Sequence, residues 1–197
     1  MKKHTDGIGI CTPRNRNAWR AWLEKNHESE HSVWLAYKKG VGDKRNITYV
    51  EAVEEALCFG WIDSKPIKLN EATTLQYFSK RNPKSNWSSL NKKRVAELTK
   101  AKMMHPSGLR MVNLAKRSGT WTAFDEVDRL VIPEDLAAAF KNAPVAFTNF
   151  DAFPKSVKKG ILGWIHAARR AETRDKRIRQ TVLLAARNER ANQYVKK

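Results

Sequence analysis

Residues 48–69 read TYVEAVEEALCFGWIDSKPIKL, and this stretch holds the start of a helix, its end and the strand that follows. Thr48 and Glu51 have the T-x-x-E spacing of a capping box, in which two side chains satisfy backbone N–H groups at a helix start. Gly60 predicts the end of that helix, because glycine readily takes the conformation that closes one. The apolar residues at helical spacing predict its buried face: Val50, Val53 and Leu57.

A small antiparallel sheet is predicted around this helix. Ile62–Leu69 and Thr73–Ser79 read as two strands of a hairpin that turns around residues 70–72. Pro66 has no backbone N–H, so it places the first of these strands at a sheet edge or at a bulge. Ser32–Lys38 (SVWLAYK) alternates with a period of two and predicts a further strand.

Helices are predicted on both sides of the sheet sequence. Thr12 is interpreted as the N-cap of a first helix, with Pro13 at its first position. Residues 40–46 read as a loop, and the pattern is helical from Ser88 onward. The later helices are expected to begin at or just after a turn or capping residue: Pro106, Pro133, Pro144, Pro154 and Thr173.

These elements predict an α+β fold, with a small antiparallel sheet and flanking helices followed by a helical C-terminal lobe. The predicted domains are an α+β lobe with a basic surface over residues 1–117 and a helical lobe over residues 118–197. From about residue 188 the sequence has no apolar periodicity and is basic, which predicts a frayed tail.

The chain has 38 Lys and Arg against 20 Asp and Glu, a formal net charge of +18. Residues 65–117 carry thirteen cations against two carboxylates, and residues 155–197 carry thirteen against three, whereas the other two segments are near balance or acidic. Charge concentrated in this way attracts anions. The expected partner is therefore a nucleic acid, a phosphate-bearing ligand or an acidic protein.

Several classes of protein are disfavoured by the composition. No apolar run approaches the length of a membrane-spanning helix, so no membrane insertion is expected. No secretory signal is recognisable, and Cys11 and Cys58 are too few for a disulfide framework, which makes the cytoplasm the expected location. The histidines and cysteines lack ligand spacing, so no metal site and no cofactor are predicted. The oligomeric state stays open.

Three separated motifs resemble a known family. They are LCFGWIDSK at residues 57–65, PKSNWS at residues 83–88 and the stretch WIHAARRAETRDKRI at residues 164–178. In this order they resemble the bacterial YdeI/OmpD-associated proteins, often described as bacteriocin-protection proteins, over about residues 33–186. The resemblance implies the YjbR/CyaY-like superfamily, an α+β sheet lobe and a part in tolerance of antimicrobial peptides. It brings no settled catalytic site.

The turn after the Gly60 helix is the first candidate site, because loops and turns collect functional groups. In it Trp61 precedes Asp63, a possible general base, Ser64, a nucleophile or phosphate donor, and Lys65, an anion contact. A nucleophilic serine needs an adjacent base, and no histidine stands in a recognisable context. The favoured interpretation is a structural turn, followed by ligand contact and then by covalent catalysis.

The second candidate is the segment FSKRNPKSNWSSLNKKR at residues 78–94, which has six basic residues and no acidic one. Cations, hydroxyl groups, an aromatic ring and a helix start suit an oxyanion or a phosphate backbone. A solvated basic loop is an equal alternative. The binding candidates in it are Arg81, Lys84, Ser85, Trp87 and Arg94.

A second basic patch is predicted on the last helix, at Arg170, Arg174 and Arg177. Two carboxylates stand four residues before a cation in this stretch, so pairs within the helix absorb part of the charge. A helix–helix turn with solvated faces is therefore favoured over a binding site here.

The predicted function is that of a bacteriocin-protection-like, non-enzymatic binding module, which engages an anionic partner through its basic surface. One alternative is a nucleic-acid-binding protein of low sequence specificity, and a second is an enzyme acting on a small anionic substrate at Asp63, Ser64 and Lys65. Direct capture of cationic peptides is disfavoured, because like charges repel. The binding hypothesis expects four cations to converge on one concave surface: Lys65, Arg81, Lys84 and Arg94.

Overall fold

The computed structural model describes residues 7–38 and 46–192 and divides the chain into two compact units, residues 1–122 and 123–197. The first unit contains a four-stranded sheet with helices, and the second is helical. The predicted α+β class is confirmed. The predicted division into lobes of residues 1–117 and 118–197 stays a prediction.

The first unit contains these elements in chain order: β1 (Ile10–Cys11), α1 (Arg16–Asn26), β2 (Ser32–Lys38), α2 (Tyr49–Cys58), β3 (Trp61–Lys68), β4 (Thr73–Lys80), α3 (Ser89–Lys100) and α4 (Pro106–Ser118). The second unit contains these helices: α5 (Asp125–Asp128), α6 (Glu134–Lys141), α7 (Pro144–Ala152), α8 (Lys155–His166) and α9 (Ala171–Ala186). The loop predicted at residues 40–46 lies outside the described residues except for Asn46.

The sheet has the order β1-β2-β4-β3. The β3–β4 hairpin and the β2–β4 pair are antiparallel, as predicted, and the register shifts between Asp63 and Pro66. The placement of Pro66 is therefore confirmed on both counts, since β3 is an edge strand and carries the irregularity. The sequence analysis missed β1, which pairs parallel with β2 at Trp34 and Leu35.

A side chain continues the outer edge of β2 where β1 stops. The Asn46 side-chain carbonyl accepts the Lys38 backbone N–H at 2.8 Å, and its amide donates to the Ala36 carbonyl at 2.8 Å. The same amide donates to the Pro13 carbonyl at 2.9 Å. Asn46 thus occupies hydrogen-bonding positions that a neighbouring strand would otherwise take.

The capping box predicted for α2 is confirmed. The Glu51 carboxylate accepts the Thr48 backbone N–H at 2.8 Å, and the Thr48 hydroxyl accepts the Glu51 backbone N–H at 3.2 Å. Gly60 closes the helix with a φ of 77°, in the left-handed region that favours glycine. The helix and the strand after it therefore meet at a sharp and defined turn.

Two predicted helix starts are wrong. The first helix begins at Arg16 rather than at Pro13, because the chain is still extended after β1 and the Asn15 side chain accepts the Ala18 backbone N–H at 2.9 Å. The last helix begins at Ala171, two residues before Thr173, and has no side-chain cap. Both errors come from choosing the nearest capping residue type from local sequence alone.

The sheet is covered on both faces near β2. On the helix-covered face, Leu35 and Phe78 pack with Trp19 and Leu57 in the main core. On the opposite face a small cluster forms around Trp34, Ala36 and Leu75, with Ile67 and Tyr77 packed against it. Alternate side chains of β2 therefore enter two different apolar clusters, which fixes its register.

The end of α2 and the start of α4 approach closely at Gly108. A Cβ atom on Gly108 would lie 2.1 Å from the Cys58 carbonyl oxygen, a distance that no real contact tolerates. The Ser107 hydroxyl donates to the Phe59 carbonyl at 3.1 Å, and the His105 backbone N–H donates to the Cys58 carbonyl at 3.1 Å. These contacts hold the start of α4 against the turn at Gly60.

A buried carboxylate ties α1 to α2. Glu55 has 1% of its side chain exposed and accepts hydrogen bonds from Arg16 Nε at 2.6 Å and Arg20 Nη1 at 2.7 Å. Arg20 also donates from Nη2 to the Met103 carbonyl at 2.9 Å. A buried charge is tolerated only when it is paired and hydrogen-bonded, and Glu55 meets both conditions.

The second unit has its own core, built around Leu136, Phe150, Ile161 and Ile165. Ala191 is buried in this core, although it lies in the segment predicted to fray. Residues 193–197 of that predicted tail lie outside the described residues.

Candidate functional site

A surface pocket of about 460 Å³ opens in the first unit where β3 begins, β4 ends and α4 begins. Its volume falls in the range of small-ligand sites, about 300–1,000 Å³. The lining residues come from four separate parts of the chain: His27, Glu28, Phe59, Gly60, Trp61, Lys80, Arg81, Pro83, Ser107, Arg110 and Met111. Three of them are cations and one is a carboxylate.

Arg81 is the most unusual of these residues, because its side chain is charged and only 5% of the residue is exposed. Its guanidinium carbon lies 3.8 Å from the centre of the Trp87 ring, and Nη2 donates to the Asn86 carbonyl. Its Nε has no hydrogen-bond partner, and no carboxylate pairs with Arg81 among the described residues. Burial lowers the pKa of Arg81 to about 10, so the group still carries its charge at neutral pH.

The other two cations border the same pocket from different elements. Lys80, the last residue of β4, donates from Nζ to the Glu28 backbone carbonyl at 2.7 Å. Arg110, on α4, has 66% of its side chain exposed and lies 3.9 Å from the Glu28 carboxylate. Together with Arg81 these groups leave a net charge of about two positive units around the opening, counting Glu28 as negative.

The His27 ring forms part of one wall of the pocket and packs against His105, which lies outside the lining. The His27 and His105 rings are 4.8 Å apart, and both contact the ring of Phe59. Burial, reinforced by the nearby His27, lowers the pKa of His105. Trp61 is buried below this wall and donates its indole N–H to the His27 carbonyl at 3.4 Å.

Three of the residues singled out in the sequence meet at this pocket. Trp61 and Arg81 line it, and Trp87 packs behind Arg81 while its ring contacts that of Trp121 at 5.0 Å. Trp87 is buried, so its ring is not available for stacking on a base.

The pocket lining does not include Asp63, Ser64 and Lys65. Asp63 accepts a hydrogen bond from the Tyr49 hydroxyl at 2.7 Å, and this bond together with burial raises the pKa of Tyr49 to about 12. Ser64 is exposed, and its backbone carbonyl accepts from Gln76 at 2.7 Å. Lys65 extends over the Trp34 ring, at 5.9 Å from its centre, on the sheet face opposite the main core.

Lys84, Ser85 and Arg94 do not line the pocket either. Lys84 is exposed next to the turn, and Ser85 closes that turn by donating from its hydroxyl to the Asn82 carbonyl at 2.7 Å. Arg94 donates to the Asn91 side chain at 3.1 Å on α3. Of the four cations expected on one concave surface, Arg81 alone borders this pocket.

The second basic patch is largely engaged in contacts inside its own unit. Arg174 makes two hydrogen bonds to the Asp135 carboxylate, at 2.5 and 2.9 Å. Arg177 donates to the Trp164 carbonyl and lies 5.0 Å from the centre of that ring. Arg170 is exposed and immediately precedes α9. These contacts give Arg174 and Arg177 a structural role.

The ion pair between Arg174 and Asp135 should make the free energy of unfolding depend on pH. The hydrogen bonds from Arg174 lower the pKa of Asp135 below its ordinary value of 3.8, so the pair stabilises the fold above that pH and loses its effect as pH falls. We expect Asp135→Asn to reduce the free energy of unfolding at neutral pH by less than about 1 kcal/mol, because both side chains are partly exposed. Urea unfolding at several pH values should show this difference shrinking in acid, whereas Glu172→Gln should show no such trend.

Sequence reasoning missed most of the pocket. His27 and Glu28 follow α1, and Arg110 lies on α4, so no local motif joins them to Arg81. Lys80 could have been predicted from the sequence, because it directly precedes Arg81 in the basic segment at residues 78–94. One signal in the sequence pointed to this site. It was the pair of cations Lys80 and Arg81 at the end of β4, followed by the buried Trp87.

Within residues 7–38 and 46–192, no helix has both the length and the apolar character of a bilayer span. The same part of the chain holds no group of three or more side chains placed to bind a metal ion.

Two family models match this chain, each over a different part of it. A family model described as "Bacteriocin-protection, YdeI or OmpD-Associated" matches residues 129–188, which include the third of the three motifs but neither of the first two. That match associates the helical unit with bacteriocin protection at the level of the family. The YjbR/CyaY-like superfamily stays a prediction.

No curated protein and no solved structure matches the chain significantly. A second family model, described as "Domain of unknown function (DUF8412)", matches residues 11–111, just over half of the chain. These residues include all of β2, β3 and β4 and every residue that lines the pocket. The chain therefore belongs to the DUF8412 family.

Proposed function

We propose that the sheet-bearing unit is a non-enzymatic binding module for a small oxyanion, held at the pocket by Arg81 with Lys80 and Arg110. The observation that carries the proposal is the guanidinium of Arg81, which is buried at the pocket without a carboxylate partner among the described residues. An anion bound there would supply the missing counter-charge.

The magnitudes favour a ligand over a purely structural arginine. Removing an ion from water costs several kcal/mol even after the protein relaxes. A cation–π contact such as that with Trp87 returns about 0.5–2 kcal/mol, and the hydrogen bond to Asn86 adds about 1.5–3 kcal/mol at most. A neighbouring Lys80 and Arg110 increase the cost, because like charges repel. An oxyanion removes this repulsion and accepts hydrogen bonds from the free guanidinium nitrogens.

The charge of the pocket also bears on the family-level role. Cationic peptides would meet Lys80, Arg81 and Arg110 and be repelled within the Debye length of about 8 Å. We therefore propose that any part in bacteriocin protection is indirect and passes through binding of an anion. The proposal makes no use of Asp63 and Ser64, which lie outside the pocket.

Arg81→Met tests the proposal, because it removes the charge and keeps an unbranched apolar side chain in place of the arginine stem. We expect phosphate and sulfate binding, measured by isothermal titration calorimetry, to weaken at least about tenfold. The free energy of unfolding without ligand should stay the same or rise, since an unpaired buried charge is gone. A structural arginine would give the opposite pair of results, with lower stability and unchanged binding.

A matched pair of surface variants on α4 provides the control. Arg110→Gln and Arg117→Gln each remove one positive charge from an exposed side chain, but only Arg110 lines the pocket. Binding should weaken in the first and stay within about twofold in the second, as expected for a local contact rather than for net charge. Equal losses in both would contradict a defined site and would favour diffuse attraction to polyanions such as nucleic acid.

A further inference from the structure

We propose that the pocket selects an oxyanion that carries its own O–H donor, of which hydrogen phosphate is the simplest example, over an equally charged oxyanion that lacks one. This inference rests on the proposed function and specifies the ligand of the same site. Its basis is a pair of hydrogen-bond acceptors, His27 Nε2 and the Glu28 carboxylate, set among the three cations.

The geometry fixes the tautomer of His27. Its Nδ1 lies 3.0 Å from the Leu23 carbonyl and 3.3 Å from the Glu24 carbonyl. A carbonyl oxygen can only accept, so Nδ1 must carry the hydrogen. In the neutral ring Nε2 is then a bare lone pair, which accepts a hydrogen bond and cannot donate one.

This lone pair is buried and unsatisfied. His27 is 8% exposed, and Nε2 has no hydrogen-bond partner among the described residues. The Glu28 carboxylate oxygen Oε1 lies 3.7 Å from Nε2. Two acceptors at this distance cannot hydrogen-bond to each other. A ligand group that donates a hydrogen bond would therefore satisfy both of them.

Glu28 is placed to make room for such a group. Its side chain is 77% exposed and is held by a contact of 3.9 Å to Arg110, which is also exposed. Rotation of this side chain would uncover His27 Nε2 without disturbing the core. The charged oxygens of a ligand would then face Arg81, Lys80 and Arg110, and its hydroxyl would face the two acceptors.

A fully deprotonated oxyanion would not fit this arrangement. Sulfate has the size, shape and charge of the phosphate dianion but no hydrogen, so one of its oxygens would face the Nε2 lone pair and the Glu28 carboxylate. Leaving a buried acceptor unpaired costs enough to change affinity about tenfold or more. A hydroxy acid offers the same O–H donor as hydrogen phosphate and is the second source of this chemistry.

Two matched pairs of probes test the inference on the full chain by isothermal titration calorimetry, at a pH above the ordinary range of histidine. Phosphate and sulfate form one pair, and glycolate and acetate form the other. We expect the hydroxyl-bearing member of at least one pair to bind about tenfold tighter or more. The pair in which this occurs distinguishes an inorganic phosphate site from a hydroxy-acid site.

His27→Phe is the diagnostic variant. It keeps a ring against Phe59 and His105, and the Leu23 carbonyl retains the backbone N–H of residue 27 at 2.8 Å. The selectivity should fall to about onefold, mainly because the hydroxyl-bearing probe loses affinity. If this variant does not fold, nitrogen NMR of the wild-type histidine provides the test, since the Nε2 resonance should move on addition of phosphate but not of sulfate.

The remaining outcomes separate the two proposals. Equal binding of both members in both pairs, with the Arg81 variant still impaired, would overturn the inference and leave the anion site standing. Absence of binding by all four probes would overturn the anion site and the inference with it. Selectivity that survives in His27→Phe would show that another group, and not His27, accepts the proton.

Discussion

Gly108→Ala is expected to lower the free energy of unfolding by about 3 kcal/mol or more. The added methyl group would lie 2.1 Å from the Cys58 carbonyl oxygen and 2.7 Å from its carbonyl carbon. These are backbone atoms at the end of α2, so they cannot rotate away as a side chain could. The whole start of α4 would have to move, with loss of the contacts that Ser107 and His105 make to the same turn.

Gly160→Ala is the matched control for this substitution. Gly160 lies inside α8, and no heavy atom would come within 4 Å of its added Cβ. Alanine there should raise stability by up to about 1 kcal/mol through the higher helix propensity of alanine. Denaturant unfolding of both variants measures the contrast. Equal stabilities of Gly108→Ala and the wild type would show that α4 does not sit against the end of α2.

The displacement of α4 should also affect the pocket. Ser107, Arg110 and Met111 all line it from this helix. If Gly108→Ala retains enough structure to be titrated, its affinity for phosphate should therefore fall along with its stability. Phosphate added at saturating concentration should recover less stability in this variant than in the wild type.

Glu55→Gln is expected to produce the second large effect, a loss of about 3 kcal/mol. Glu55 is almost fully buried between Arg16 and Arg20, which both donate to its carboxylate. An amide of the same shape has one acceptor oxygen and no charge, so at least one guanidinium loses its partner. The arginines are partly exposed and regain some hydration, which keeps the loss at the lower end of the range for broken buried pairs.

Glu97→Gln tests whether this loss depends on burial. Glu97 faces Lys93 at 4.0 Å, and both side chains are exposed. Its replacement should change stability by less than about 0.5 kcal/mol. Similar losses in the two variants, measured by urea unfolding, would contradict the assignment of Glu55 as the charged link between α1 and α2.

Local chemistry made the centre of the sheet unit predictable. The capping box at Thr48, the stop at Gly60 and the irregular edge at Pro66 each depend on residues that are neighbours in sequence. By contrast, β1 has two residues and exists through its pairing with Trp34 and Leu35, a contact between distant segments. The capping signal at Thr12 did not start a helix, because α1 begins at Arg16 with Asn15 as its N-cap.

The candidate site was harder to predict, because a strand assigns its side chains to two faces. Trp61 and Asp63 share the helix-covered face, and the register shift after Asp63 places Lys65 on the other face, over Trp34. Residues adjacent in sequence were therefore separated in space. Arg81 was among the candidates taken from the sequence, but the residues across the pocket from it come from the segment after α1 and from α4. The periodicity of a sequence does not show which distant segments meet in the fold.

The amide of Asn46 has a consequence for behaviour at high concentration. A strand whose outer N–H and C=O groups are free can recruit a strand from another molecule, which is the first step of ordered aggregation. Here β1 occupies one part of that border and a single asparagine closes positions 36 and 38. At this edge of the sheet, one side chain therefore blocks pairing with a foreign strand at positions that the two-residue β1 leaves uncovered.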